Sequence, residues 1–156
     1  VTFSFERGTA FISEVISSQR LLADLAAVAQ KVTRRSGTAW DDMGIRRELG
    51  QLDAELDALW SLTKRNVSQA QRTGAVGPGG SVFKLAYADV RKRMADLAEQ
   101  VLGRAGLAIG DTLDLSDLDH VGERLYTLTL TIAAGTSEIQ RNIVGERLLG
   151  LPRGDR

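Results

Sequence analysis

Apolar residues recur at steps of three and four along most of the chain, and this spacing divides it into helical segments. The clearest repeat predicts a helix in a bundle seam, which we expect to begin at Asp41 or Asp42 and to end at Gly74. Its members are Ile45, Leu49, Leu52, Leu56, Leu59, Thr63 and Val67.

Two further segments have the same helical spacing. Residues 5–34 carry two adjacent apolar rows, so this helix is expected to be central in the fold. Ser81 is expected to cap the next helix after a glycine-rich connection. The core positions predicted for that helix are Phe83, Tyr87, Val90, Met94, Leu97 and Val101.

The last third of the chain predicts two shorter helices. One is expected from Ser116 to Ile132; residues 127–132 also alternate like a strand, but the chain offers no partner strand. Thr136 is expected to cap the final helix, whose apolar side comprises Ile139, Ile143, Val144 and Leu148. The sequence therefore predicts an all-α fold, an antiparallel four-helix bundle with a short additional C-terminal helix, as one domain over residues 1–156.

Composition narrows the possible functions. The chain is 43% apolar and 26% charged, and its 20 basic and 20 acidic residues cancel, which argues against nucleic acid or an anionic membrane as the main partner. With no cysteine and one histidine, His120, no metal site is predicted. We interpret His120 as an ordinary surface or capping residue. No apolar run approaches the length of a membrane span. We expect a cytoplasmic location.

The most specific motif of the sequence covers residues 135–152, Gly-Thr-Ser-Glu-Ile-Gln-Arg-Asn-Ile-Val-Gly-Glu-Arg-Leu-Leu-Gly-Leu-Pro. By its physics alone it favours a plain capped surface helix. Its residues closely resemble the C-terminal signature of the flavin-dependent acyl-CoA dehydrogenases. The resemblance extends over nearly the whole chain, which is similar to the C-terminal helical domain of that family. The resemblance implies an FAD-dependent enzyme that acts on an acyl-CoA, with electron-transfer flavoprotein as acceptor and a dimer of dimers as assembly. It also implies a fragment without the family's N-terminal helical and middle β-domains, expected to be inactive alone.

The catalytic base does not stand at its commonest place. Many family members carry a glutamate directly before the Gly-Thr of the terminal motif, where this chain has Ala134. Members similar to the isovaleryl- and long-chain enzymes carry the base on the first helix of this domain. Residues 3–7, Phe-Ser-Phe-Glu-Arg, match that pattern and imply Glu6 as the base. The alternative is a first-turn carboxylate that the helix dipole favours.

The resemblance also implies cofactor contacts. Residues 100–106 resemble the family's Gln-x-x-Gly-Gly-x-Gly segment, which approaches the flavin nucleotide of a neighbouring subunit, although Arg104 replaces the second glycine. Without the resemblance this stretch predicts a glycine C-cap and a turn. Thr136 and Glu138 match positions that meet the flavin in relatives. The implied cofactor-binding residues are Gln100, Gly103, Gly106, Thr136 and Glu138.

Three functions remain open at this point. Glu6 favours an active dehydrogenase, whereas Ala134 favours a catalytically silent subunit that completes a partner's flavin site in a heteromeric enzyme. A helical oligomerisation module without cofactor is the third, and the near-complete terminal motif counts against it. The long apolar stripes of the second and third helices predict homo- or hetero-oligomers.

Overall fold

The computed structural model describes residues 11–74, 77–104 and 120–153, which form an all-α fold as predicted. A two-residue antiparallel ladder, β1 (Thr33–Arg34) with β2 (Gly37–Thr38), and a 3-10 turn at Ala39–Asp41 connect the first two helices, a small strand pair that the sequence did not predict. The helices are α1 Phe11–Lys31, α2 Met43–Thr73, α3 Gly79–Leu102, α4 His120–Thr129 and α5 Ser137–Arg147.

Helix α2 follows its sequence pattern closely. The Asp42 side chain accepts hydrogen bonds from the backbone N–H groups of Gly44 at 2.7 Å and Ile45 at 3.4 Å, which satisfies two donors that the helix leaves unpaired. Gly74 ends the helix with a left-handed φ of 67°. The predicted seam is confirmed from Ile45 to Thr63, whose members are buried, while Val67 is half-buried.

Helix α3, not α1, is the centre of the fold, because it packs against each of the other four α-helices described. All six of its predicted core residues are buried. It begins at Gly79 rather than at Ser81, since Pro78 already has helical dihedrals and its carbonyl accepts a hydrogen bond from Ser81 N–H. The expectation of a central first helix is wrong, because Ile12 and Ile16 of its second apolar row remain 37% exposed.

Helix α4 ends at Thr129, three residues before the predicted Ile132, and none of residues 127–132 forms a strand. The hydroxyl groups of Thr127, Thr129 and Thr131 each donate to the carbonyl three residues earlier, at 2.7 to 2.8 Å. Such side-chain bonds compete with the regular helical pattern. Ile132 N–H also bonds the carbonyl of Thr129, three residues back, so the chain tightens into turns here.

Apolar surface is exposed elsewhere than predicted. The apolar stripes of α2 and α3 are buried in the chain's own core. Exposed large apolar side chains instead concentrate in α4, α5 and the segments that follow them. No described helix, in any of the three ranges, is long and apolar enough to cross a membrane. We call the following residues the outer apolar set: Leu125, Leu128, Ile132, Ile139, Leu148, Leu149 and Leu151.

Candidate functional site

The turn between α4 and α5, residues 133–136, adopts an unusual backbone conformation; we call it the α5 turn. Ala134 has φ 56°, which is left-handed, and Gly135 has φ 96°. Within the described ranges, Ala134 is the one residue other than glycine with positive φ. A side chain in that region costs about 1–2 kcal/mol. Thr136 then caps α5 as predicted, and its hydroxyl oxygen accepts from Ile139 N–H at 3.4 Å.

Two buried side chains hold the carbonyl groups of this turn. The ammonium group of Lys84, on α3, donates to the carbonyl oxygens of both Ala133 and Gly135. The side-chain amide of Gln140, on α5, donates to the carbonyl of Ala134 at 2.9 Å. Lys84 is 8% exposed and Gln140 is fully buried. We call Lys84 and Gln140 the carbonyl clamp.

The clamp leaves three successive N–H groups available. In the part of the chain that the structure describes, the N–H groups of Ala134, Gly135 and Thr136 donate to no acceptor. The C=O and N–H of a trans peptide point in opposite directions, so these N–H groups point away from the clamp. They also lie at the N-terminus of α5, where the helix dipole adds positive potential. Such an array stabilises an anion or a developing negative charge.

The predicted cofactor residues fall into two separate places. Thr136 and Glu138 lie together at the start of α5, and hydrogen bonds from the Glu138 backbone N–H and the Thr136 hydroxyl lower the pKa of the exposed Glu138 carboxyl. Gln100 and Gly103 lie at the far end of α3. Gln100 is sixteen residues beyond Lys84, which is about 24 Å along a helix. Within one chain, the two groups of residues therefore lie near opposite ends of α3.

The C-terminal end of α3 is capped by a glycine and by the side chain of an arginine from outside the helix. Gly103 is the C-cap of the helix with φ 57°, and its N–H bonds the carbonyl of Glu99. The guanidinium of Arg34 donates to the carbonyls of Gln100 and Val101, the latter at 3.1 Å. No atom lies within 4 Å of the place that a β-carbon on Gly103 would occupy, so a side chain there would be disfavoured by the positive φ and not by a steric clash.

Some predicted residues lie outside what the structure describes. Glu6 and Gly106 fall in residues 1–10 and 105–119, and of His120 only the helical backbone is described. Among the described residues, no group of three His, Cys, Asp or Glu side chains could hold a metal ion.

The apolar side predicted for α5 is not the side that is buried most deeply. Ile139 is 49% exposed and Leu148 is 53% exposed, while Gln140 is the residue of this helix that is fully buried. Gln140 lies on the buried side because its amide donates to the Ala134 carbonyl, and a buried amide needs a hydrogen-bond partner. Two of the polar atoms left buried without a partner in the described residues are Gln140 Oε1 and Arg91 Nε.

Sequence reasoning missed both members of the clamp. Lys84 lies three residues before Tyr87 and seven before Arg91, which places it on the buried side of α3. A lysine at that spacing within an apolar stripe was the sequence feature that could have indicated a buried cation. Gln140 gave a weaker signal, since a single amide on a short helix is usually solvated.

A second polar cluster, also missed, lies between α1, α3 and α4. The buried guanidinium of Arg91 pairs with Glu123 and donates to the hydroxyl oxygens of Ser18 at 3.1 Å and Tyr87 at 3.2 Å. Burial raises the pKa of the Tyr87 phenol. The cleft above this cluster is lined by two carboxylates, Glu123 and Glu14, against one guanidinium, so it does not attract an anion.

The chain resembles known proteins in sequence over nearly its whole length. Residues 1–149 match the family model described as "Acyl-CoA dehydrogenase, C-terminal domain". The chain is 35% identical over 155 residues to acyl-CoA dehydrogenase IpdE1 of Mycobacterium tuberculosis, covering 97% of this chain and 37% of that protein. It is 36% identical over 155 residues to the protein of the same name in Mycolicibacterium smegmatis, covering 97% of this chain and 36% of the relative. The chain thus spans little more than a third of the length of these relatives.

Solved structures share the fold. The crystal structure of the ChsE4-ChsE5 complex from Mycobacterium tuberculosis matches with a TM-score of 0.69 and 25% identity, over 86% of this chain and 35% of that one. The glutaryl-coenzyme A dehydrogenase glutaryl-CoA complex matches with a TM-score of 0.77 and 17% identity, over 99% of this chain and 38% of that one. At that identity the second likeness concerns the fold alone.

Proposed function

The chain belongs to the acyl-CoA dehydrogenase family as its C-terminal domain, and on that premise we propose that the longer protein is an FAD-dependent dehydrogenase. It introduces a double bond between the α- and β-carbons of an acyl-CoA thioester. The observation that carries the proposal is the α5 turn, whose three available N–H groups belong to Ala134 and to the first two residues of the family's signature motif, Gly135 and Thr136. Electron-transfer flavoprotein is the proposed acceptor.

The proposed chemistry requires a base and an electrophile from this domain. Glu6 removes the α-proton, because Ala134 carries only a methyl group at the commoner base position. As that proton leaves, negative charge develops on the thioester oxygen, and Ala134 N–H donates a hydrogen bond to it. A backbone donor that is already oriented needs no reorganisation at the moment of reaction.

The separation of the predicted cofactor residues into two places supports a flavin that is shared between subunits. FAD, when bound, accepts the β-hydrogen as hydride. Thr136 and Glu138 would contact it from the start of α5, whereas Gln100 and Gly103, at the opposite end of α3 from Lys84, would contact the flavin nucleotide of a neighbouring subunit. We therefore propose a homo- or hetero-oligomer, a dimer of dimers, located in the cytoplasm. A single copy of the domain is proposed to be inactive, because it offers half a pocket.

A silent subunit is the second candidate function. Ala134 favours it, since the commoner base is missing, and the similar ChsE4-ChsE5 structure is a complex of two differently named chains. In that case the α5 turn or the Gln100 end of α3 would complete the flavin site of a partner.

The test is expression of the longer protein, followed by its visible flavin spectrum and its turnover of a panel of acyl-CoA thioesters with a dye as electron acceptor. Bound flavin with turnover supports the dehydrogenase. Bound flavin without turnover, restored by a co-expressed homologous subunit, supports the silent-subunit function. A protein that binds no flavin in either form overturns both.

A further inference from the structure

We propose that Lys84 is a positioning residue for the dehydrogenation: together with Gln140 it orients and polarises the Ala134 N–H that receives the thioester oxygen. The inference rests on the proposed function for its chemistry, while the orientation itself rests on the contacts of the α5 turn.

The orientation follows from the planarity of one peptide. The carbonyl of Ala133 and the N–H of Ala134 belong to the same peptide unit, and in a trans peptide they point in opposite directions. Lys84 is anchored in α3, the central helix, and its ammonium group holds the Ala133 carbonyl. The Ala134 N–H must therefore face away from α3, on the side where Ala134 is exposed.

The same constraint is repeated along the turn. Gln140 holds the carbonyl of Ala134, which fixes the Gly135 N–H, and Lys84 holds the carbonyl of Gly135, which fixes the Thr136 N–H. Three consecutive peptides thus share one orientation. A turn with only one of these bonds could rotate a peptide at little cost, whereas one with all three cannot.

The strain at Ala134 shows that the turn needs such support. A left-handed alanine persists only where its surroundings over-determine the backbone. The bond from Ser137 N–H to the carbonyl of Thr131, at 3.2 Å, ties the two ends of the turn, but it leaves the peptides between them free to rotate. The carbonyl clamp supplies the missing constraint.

The charge of Lys84 adds an electronic effect. A buried ammonium group that bonds a carbonyl oxygen draws electron density from that peptide, and the N–H at the opposite end becomes a stronger donor. Lys84 is 8% exposed, so water screens this effect little. A neutral donor in its place would keep the orientation and lose the polarisation.

The test uses the longer protein with Lys84→Met, Lys84→Gln and, as matched control, Lys92→Met. Lys92 is half-buried on the same helix and makes no hydrogen bond or ion pair within the described part of the chain. We expect Lys84→Met to reduce kcat by roughly 10- to 100-fold, below the loss of a whole oxyanion donor, with KM changed less than about threefold. Lys84→Gln should fall between Lys84→Met and wild type, and Lys92→Met should match wild type.

Rescue separates positioning from a general structural role. Glycine adopts positive φ without strain, so adding Ala134→Gly to Lys84→Met should restore part of kcat. Equal kcat in Lys84→Met and wild type overturns the inference, as does a loss of kcat that Lys92→Met reproduces.

A crystal structure of the Lys84→Met protein decides the point without turnover. We expect the 133–134 peptide to rotate or Ala134 to leave its left-handed conformation. An unchanged φ and unchanged carbonyl direction overturn the inference even in an active enzyme. If wild type shows no turnover alone or with a co-expressed homologous subunit, the proposed dehydrogenase activity fails while this readout still decides the role of the clamp. Should Lys84→Met not fold, the same comparison is made with Lys84→Leu, which likewise has no donor for the Ala133 and Gly135 carbonyls.

Discussion

Arg91 of α3 and Glu123 of α4 form an ion pair whose two partners are unequally buried: the arginine side chain is 6% exposed and the glutamate side chain 40%. The guanidinium is further committed to Ser18 and Tyr87, and its Nε has no partner among the described residues. The pair ties the short helix α4 to the central helix, close to where α1 begins.

This inequality predicts unequal costs of removing each partner. Glu123→Ala leaves a buried cation without its counter-ion, and we expect a loss of about 2 kcal/mol in unfolding free energy, below the 3–5 kcal/mol of a fully buried pair because water reaches Glu123. Arg91→Met leaves a carboxylate that water can solvate, so its cost should be smaller. Urea unfolding followed by circular dichroism measures both, and the reverse order would contradict the argument.

Glu55 of α2 predicts a pH dependence of stability. Hydrogen bonds from the Arg93 guanidinium, at 2.7 and 2.8 Å, hold the pKa of the Glu55 carboxyl below its ordinary value of 4.5. Since the folded pKa is the lower one, the unfolded chain binds more protons at acidic pH. The stabilisation is therefore present above pH 4.5 and disappears as the pH falls through the folded value.

The test compares Glu55→Gln with wild type at pH 7 and at pH 3. At pH 7 the variant should be less stable by roughly 0.5–1 kcal/mol, the scale of a partly exposed pair, and at pH 3 the difference should shrink. Asp53→Asn is the control, because Asp53 is an exposed carboxylate of the same helix outside the ion pairs of the described residues. A gap between wild type and Glu55→Gln that widens in acid would rule out this assignment.

The outer apolar set predicts where the domain associates. Leu128 is 53% exposed on α4, and a charge there should weaken assembly without disturbing the core. We expect Leu128→Glu to lower the mass measured by light scattering at tens of micromolar. Ala58→Glu, on the exposed side of α2, adds the same charge and should leave the mass unchanged. A monomeric wild type would refute self-association itself.

Glu6 gives the direct test of the proposed base. In the longer protein, Glu6→Gln should keep bound flavin and lower kcat by roughly 10²-fold or more, because the amide is nearly isosteric but cannot accept the α-proton. Stopped-flow reduction of the flavin by an acyl-CoA measures the step itself. Full activity of the variant would eliminate Glu6 as base.

Ala134→Glu is the companion of that variant, since it places a carboxylate at the family's commoner base position. The backbone N–H of residue 134 is retained, so the thioester oxygen keeps its donor. Combined with Glu6→Gln, it should recover part of the lost kcat. No recovery, with an intact flavin spectrum, would mean that the carboxylate at 134 does not reach the α-carbon.

The sequence by itself determined the family, the all-α class and the course of α2 and α3. Their stripes, their caps at Asp42 and Gly74 and the buried face from Phe83 to Val101 depend on contacts within a few residues, and those contacts leave a periodic trace. The helix ends at Ser81 and Ile132 were misplaced because Pro78 dihedrals and threonine hydroxyl bonds, not periodicity, decide them.

Only the tertiary structure decided which helix is central and what holds the α5 turn. Lys84 meets the carbonyls of Ala133 and Gly135 across 49 and 51 residues of chain, a pairing that no local pattern records. Ile139 and Leu148 are exposed and Ile143 and Val144 are half-buried, whereas the fully buried residue of α5 is Gln140, whose amide donates to the Ala134 carbonyl. The apolar periodicity of α5 indicates which of its residues can be buried, but the hydrogen bond of the Gln140 amide determines which side of the helix faces the core.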